Sequence, residues 1–418
     1  MKKALVSVSI LASVAMATTY ISNETQLAGI SGNLSEDYVL TANITITTNP
    51  WTPLGDASTP FTGTLNGGGY TISGLSISSG SDIGLFGATS GATIQSLKIQ
   101  GASVCDYTGS NVGILAGQAL YSTILNVEVN GTVCGLDQVG GMVGYAEYGT
   151  ITSTASYASV DVNGSGFNIG GLVGEANATV VSKSFVEGNV IAPSGKLVGG
   201  VVGYVTGASA HSNYFKGDLN ATGNFGGIVG KMESGSVYDS YSIFNYVVGE
   251  GKGAGIVGAL YDSGSRVYNT YAVGPEVQGY EAGGILGVVD TATADDMTVY
   301  CNAALVNTFI GVKNPAKPGH STVFNVFNNA DTNATALYGQ LNYSLDSNVT
   351  SDYNDTVQLT DIYSSGWDGH SAFVTPSDYL YMFNSWMRSN CGFNSNSVWN
   401  YATPSAPFPT LNDVGPSF

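Results

Sequence analysis

Short aliphatic runs bracketed by glycines interrupt a background in which Ser, Thr, Asn and Tyr alternate with apolar residues, and the runs return at a steady interval. Eight blocks end in glycine: Asp82–Gly87 (DIGLFG), Val112–Gly117 (VGILAG), Val139–Gly144 (VGGMVG), Ile169–Gly174 (IGGLVG), Val198–Gly203 (VGGVVG), Phe225–Gly230 (FGGIVG), Gly253–Gly258 (GAGIVG) and Ala282–Gly287 (AGGILG). Their last glycines are 30, 27, 30, 29, 27, 28 and 29 residues apart. A repeat of this length marks a solenoid, propeller or array whose units bury their apolar faces only against neighbours. Several glycines and many Val, Ile, Tyr and Thr residues per repeat disfavour helix and favour strand. A propeller blade needs about 40 to 50 residues, so the pattern predicts an all-β parallel β-helix with coils of 27–30 residues.

Within one repeat, Phe225–Gly230 supplies a short apolar strand and Ser236–Tyr241 a more polar one. Glycine is expected where the coil turns through positive φ and where one backbone passes close to the next. No Gly-x-Gly-x-x-Gly opens a helix, which leaves a nucleotide loop without its context. At the start, Glu24–Ile30 reads as a short amphipathic helix in an N-terminal cap. Beyond residue 300 the repeat decays, and Trp367, Trp386 and Trp399 are expected to pack with their segment across the last coil. The division is a leader over 1–17, a cap and first coils over 18–80, regular coils over 81–300, and irregular coils with a cap over 301–418.

Met1-Lys2-Lys3, the apolar run to Met16 and the small-x-small ending at Ala17 have the form of a secretory signal. Export with cleavage near Ala17 is therefore expected, with no membrane insertion, because no later run of about 18 apolar residues occurs. Without Lys2 and Lys3, 10 basic residues face 30 acidic ones. That balance argues against nucleic acid or anionic membrane as partners. Only 10% of residues are charged, so the surface is built largely from Ser, Thr, Asn, Gly and Tyr, which suits sugars or other polymers and equally an ordinary secreted β-protein. Asn-x-Ser/Thr sequons stand at Asn23, Asn33, Asn43, Asn130, Asn163, Asn177, Asn220, Asn333, Asn342, Asn348 and Asn354; whether they carry glycans depends on the host.

In an exported chain the four cysteines are expected to form disulfides. Cys105 and Cys134 fall near the same corner of successive coils, which predicts a rung-to-rung bond; Cys301 and Cys391 would then form a second bridge. No CxxC pair supports a metal site. Ten to thirteen residues after each terminal glycine comes a large side chain: Leu97, Val127, Tyr157, Phe185, Tyr214, Tyr241, Tyr271 and Tyr300. Stacked coils turn this into a ladder. Pointing inward it is core; pointing outward, Tyr157, Tyr214, Tyr241 and Tyr271 become candidate ligand-binding residues for a sugar or a protein.

Gly171-Leu172-Val173-Gly174 and its seven counterparts resemble the GLUG motif, a repeat of bacterial surface proteins that include adhesins and the non-catalytic region of some IgA-cleaving proteases. Trp51–Gly55, Pro60–Leu75 and Gly84–Gly87 are similar to the opening of such arrays, and Val398–Asn400 with Phe408–Leu411 to their close. The resemblance covers roughly Tyr38 to Leu411. It implies a right-handed β-solenoid serving as a stalk or adhesive surface, without shared catalytic residues.

Parallel β-helices also carry pectin-degrading enzymes, which need basic residues around an acidic substrate. Arg266 and Arg388 are scattered here, and the Asp295-Asp296 pair places its carboxylates on opposite faces of any strand. His211, His320 and His370 lack the context of a catalytic triad. Asp346, Asp352 and Asp355 fit no defined calcium loop. The leading expectation is a non-enzymatic, cofactor-free protein of the cell surface or extracellular space that binds a glycan or protein ligand and self-associates in some settings. A structural filament is the alternative, and a β-helical polysaccharide lyase or hydrolase the third reading.

Overall fold

The computed structural model describes residues 18–261, 265–279, 281–289, 298–300, 302–311, 323–324, 338–340, 343–344, 398–400 and 410–418. The strands of its coils are parallel and stacked one coil on the next. An eight-stranded sheet forms one wall, with members such as Ile169–Gly170, Leu197–Gly199, Asn224–Gly226 and Lys252–Ala254 succeeding one another along the axis. Among the described residues a 29-stranded sheet supplies the remaining strands of the coils. Residues one repeat apart lie side by side: Val143 pairs with Val173, Val173 with Val202, Val202 with Val229, and Val229 with Val257. This is the β-solenoid that the glycine period predicts, and regular pairing extends past residue 300, where Ala303–Gly311 lies on Arg266–Gly279.

The core is a column of aliphatic rows. Met142, Leu172, Val201, Ile228, Ile256 and Ile285 are each fully buried one above another. Each such side chain stabilises the fold by about 2 kcal/mol relative to exposure. At the N-terminal side the expected helix is split: an α-helix covers Glu24–Ala28, capped by the Asn23 side chain, and a 3-10 turn continues over Gly29–Gly32. Leu27 and Ile30 carry it into the core. The Glu24 carboxylate accepts bonds from Thr47 and Thr48, which hold its pKa down at about 2.

The repeated glycines serve one of the two purposes expected of them. A Cβ on Gly171 would meet the carbonyl oxygen of Gly200, and one on Gly200 would meet the carbonyl of Gly227 and the Phe215 ring. They recur because neighbouring backbones touch there, leaving no room for a side chain. The turns belong mostly to other residues. One corner carries Ser96, Asn126, Ser153, Lys183, Ser212, Asp239 and Asn269, all left-handed with φ between 47° and 57°. A non-glycine residue in that region costs about 1 kcal/mol or more, and the coil-to-coil hydrogen bonds on either side hold it in place.

Candidate functional site

The left-handed corner sets the direction of the next two side chains. The first points into the coil and the second points out. In the triplets Ser212-Asn213-Tyr214, Asp239-Ser240-Tyr241 and Asn269-Thr270-Tyr271, the middle residue is fully buried. These polar residues form an internal ladder. Asn213 Oδ1 accepts from the Ser184 amide at 3.0 Å, its Nδ2 donates to the Val181 carbonyl at 2.8 Å, and the Asn213 amide donates to Ser240 Oγ at 3.1 Å. Every buried polar atom taken up in this way offsets its own desolvation.

The third residue of each triplet forms an outer aromatic row. Phe185 and Tyr214 stack with centroids 4.8 Å apart, Tyr214 and Tyr241 at 5.1 Å, and Tyr241 and Tyr271 at 4.9 Å, all within 8° of parallel. Phe215, the neighbour of Tyr214 in the same strand, points the other way and is fully buried, which places the tyrosines on the outside of the wall.

The ladder expected from sequence therefore needs correction in register. Leu97 and Val127 are fully buried inward residues. Their outward neighbours Lys98 and Glu128 start the row, which continues through Ala155, Phe185, Tyr214 and Tyr241 to Tyr271. Tyr157 lies two residues beyond Ala155, is 37% exposed, and meets Phe185 edge-on at 5.5 Å. Tyr300 pairs in register with Tyr268, in a different row. A slip of one residue changes the face, and unequal coil lengths produce such slips.

The row is covered by the end of the chain. Trp399 and Asn400 pair antiparallel with Leu411 and Thr410, and the Trp399 ring rests on Tyr241 and Tyr271 with centroids at 6.2 and 5.9 Å. Its Nε1 donates to Asp239 Oδ1 at 3.4 Å. The Gly415 amide donates to the Lys183 carbonyl at 2.8 Å, and its backbone lies against the Phe185 ring. Asn126 exchanges two hydrogen bonds with the Ser417 backbone, and Lys98 Nζ sits 4.1 Å above the Phe418 ring. Residues 398–400 and 410–418 thus lie along the flank, while Trp367 and Trp386, expected to pack with Trp399 across the last coil, lie outside the described residues. From Leu411 to Phe418 is about 23 Å of extended chain, matching five coil spacings of about 4.8 Å from Tyr241 to Lys98.

Burial sets the chemistry of the row. Tyr271 is 0% and Tyr241 5% exposed. Desolvation pushes the pKa values of Tyr214, Tyr241 and Tyr271 up, with the Glu187 charge adding to it for Tyr214 and Tyr241. Tyr214 also donates to Glu187 at 3.1 Å. Burial likewise raises the Asp239 carboxyl, against the pull of the Asn269 and Trp399 donors. With their faces spent on one another, the rings offer mainly edges and hydroxyls.

Three further surface groups escaped the sequence reading. Tyr121 and Tyr148 stack at 5.3 Å and stand 61% and 55% exposed; their signal was available, since each comes four residues after a terminal glycine. His211, Tyr238 and Tyr268 form a second stack at 4.5 and 4.8 Å. On another face Lys231 pairs with Glu233 and lies over the rings of Tyr204 and Tyr261 at 5.6 and 4.4 Å, while Tyr204 donates to Glu233 at 2.5 Å.

Cys105 and Cys134 are joined, with Cα atoms 4.2 Å apart on directly paired strands of adjacent coils. Cys301, Cys391, Asp295, Asp296, His320, His370, Asp346, Asp352, Asp355 and Arg388 lie outside the described residues, as does the leader over 1–17. Arg266 is exposed. Among the described residues no group of three His, Cys, Asp or Glu side chains is arranged to hold a metal, and no helix is long and apolar enough to cross a membrane.

No protein-family model matches the chain. It is similar to halomucin of Haloquadratum walsbyi, with 34% identity over 188 residues, covering 40% of this chain and 2% of that protein. It is also similar to the immunoglobulin A1 protease of Streptococcus pneumoniae serotype 4, with 29% identity over 232 residues, covering 47% of this chain and 11% of the relative. The chain therefore matches only a small part of the length of these relatives. A solved structure named IgA1 Protease aligns with 70% of this chain and 22% of its own at 19% identity, with a TM-score of 0.45.

Proposed function

We propose that this chain is an exported β-solenoid that binds glycan or protein ligands at or near a cell surface through its lateral face, without catalysing a reaction. The observation that carries this reading is the exposed aromatic surface of the coils: the stacked Tyr121 and Tyr148, 61% and 55% exposed, and Tyr157, 37% exposed beside the row of Phe185, Tyr214, Tyr241 and Tyr271. Aromatic side chains exposed outside a core are suited to contact. The matched relatives support a location outside the cell, since mucin and immunoglobulin are both extracellular molecules. They also support a modular role, because the shared stretch is a minor part of two proteins with different names. The GLUG likeness agrees with an adhesive or stalk region, and the apolar stretch before Thr18 with a removed leader.

The test is binding of labelled residues 18–418 to a glycan array together with purified mucin and immunoglobulin A1. Specific binding that falls in Tyr157→Ala, or in Tyr121→Ala with Tyr148→Ala, while the variants keep the wild-type circular dichroism, supports the reading. Absence of binding on every surface, or hydrolysis of an arrayed saccharide, contradicts it.

A further inference from the structure

We propose that Tyr148, backed by Tyr121, is the floor of a saccharide site in which one uncharged pyranose ring stacks on Tyr148 over the corner at Ala178. This inference rests on the reading of the exposed aromatic side chains as a contact surface, and names the ligand class and its seat.

A second left-handed corner runs along the solenoid through Gly91, Tyr121, Tyr148, Ala178, Gly207 and Ser234, with φ between 45° and 65°. Space does not limit it, since a Cβ on Gly91 or Gly207 would meet nothing within 4 Å. The backbone does, because left-handed φ is costly for a bulky residue and open to glycine. Gly, Ala and Ser take up the corner elsewhere, yet two adjacent coils carry tyrosine there. Those tyrosines bury little in return, standing 61% and 55% exposed. Strain kept where packing does not offset it points to function.

The two rings stack with centroids 5.3 Å apart and planes 10° from parallel. Tyr121 takes one face of Tyr148 and holds that ring in place. The other face looks along the axis to the next coil, where Ala178 supplies only a methyl group and Gly207 beyond it no side chain. A ring placed one coil spacing from Tyr148, about 4.8 Å, continues the stack at a distance that ring contacts prefer. The Phe185 row offers no such seat at Tyr214 or Tyr241, each of which lies between two other rings.

The walls of the seat select the ligand. On the preceding side Glu147 and Asn177 pair in register, and Asn177 Nδ2 donates to Glu147 Oε1 at 3.1 Å. On the following side stand Thr150 and Val180, the latter 37% exposed. A pyranose carries C–H groups on its faces and hydroxyls around its rim, so it meets the Tyr148 ring with the first and the Glu147–Asn177 pair with the second. A phenylalanine ring brings no donor to that carboxylate, and a tyrosine or tryptophan brings one. The Glu147 charge disfavours a uronate or other acidic sugar. The opposite end of the pair, at Gly91, has Ser90 and Leu120 in place of these groups.

The test is a titration of the full chain, its tyrosine rings labelled with 13C, with cellotetraose, chitotetraose and mannotetraose, and with tetragalacturonate as the acidic control. Ring signals that vanish in Tyr148→Gly identify Tyr148. At least one neutral sugar is expected to shift them, and the acidic one to leave them unmoved. Affinity, read by saturation transfer to the sugar, is expected to fall about tenfold in Tyr148→Gly and in Ala178→Leu, which fills the seat and keeps both rings. Tyr148→Gly puts in the residue that Gly91 and Gly207 place at the same corner, so its thermal midpoint is expected to equal or exceed that of wild type. A lowered midpoint makes the tyrosines structural and overturns the proposal. So do silence with all three neutral sugars, and N-acetyltryptophanamide shifting the Tyr148 signals at lower concentration than any sugar, which makes the partner an aromatic peptide. Sugar shifts confined to Tyr157, or array binding unchanged in Ala178→Leu, overturn it and leave the surface-ligand reading standing. That reading falls as well only when no glycan, mucin or immunoglobulin surface binds.

Discussion

The coils around Cys105 and the coils around Tyr241 turn the same left-handed corner and build opposite walls from it. After Ser96 and Asn126 the chain sends Leu97 and Val127 inward and Lys98 and Glu128 outward. After Ser212, Asp239 and Asn269 it sends Asn213, Ser240 and Thr270 inward and three tyrosines outward. The first pair of coils is tied by a disulfide, the later ones by an internal hydrogen-bond ladder and stacked rings. Backbone geometry is therefore common property of the coils, while the side chains after the corner decide whether a flank is polar, as at Lys98 and Glu128, or aromatic, as at Tyr214 and Tyr241.

Exchanging one design for the other should be the most damaging change. Asn213→Leu imports the early arrangement into a late coil and leaves the Ser184 amide and Val181 carbonyl without partners. At up to about 3 kcal/mol per stranded buried group, a loss of about 4 kcal/mol is expected in urea unfolding. Removing the covalent tie by Cys105→Ser with Cys134→Ser, a bond closing a separation of 29 residues, is expected to cost about 3 kcal/mol. Hydrogen exchange should place that loss in the early coils. Tyr241→Ala removes two stacked ring pairs and is expected to cost about 2 kcal/mol, against less than about 0.5 for Tyr241→Phe.

The smallest effect is acid sensitivity confined to the late coils. Burial, and then Lys183, lower the His211 pKa from its usual 6.5. The folded state thus favours the neutral ring, so its contribution is complete above pH 6.5 and is lost as pH falls below that toward the depressed folded value. Thermal midpoints between pH 7 and 5 should fall further for wild type than for His211→Asn.

The glycine period made the solenoid legible because backbone contact permits one residue type there, as at Gly200 against Gly227. The Cys105–Cys134 bond was legible for a similar reason, two residues sharing one corner. The aromatic row was visible only as a list of large side chains. Its direction turns on a single position, Tyr214 outside and Phe215 inside, and coils of unequal length hide that phase. The tail left no trace in the period, because Trp399 and Tyr241 are brought together by the fold across a long stretch of chain.

Hydroxyl-radical footprinting of the full chain, wild type beside Trp399→Ala, tests most directly the claim that the tyrosine row lies outside the wall and beneath the tail. In wild type, Tyr121 and Tyr148 should be oxidised heavily and Tyr241 and Tyr271 spared. In Trp399→Ala, oxidation of Tyr241 and Tyr271 should rise while the inward Phe215 stays protected. Tyrosines labelled as strongly as Tyr121 in wild type, or still protected in the variant, would contradict it.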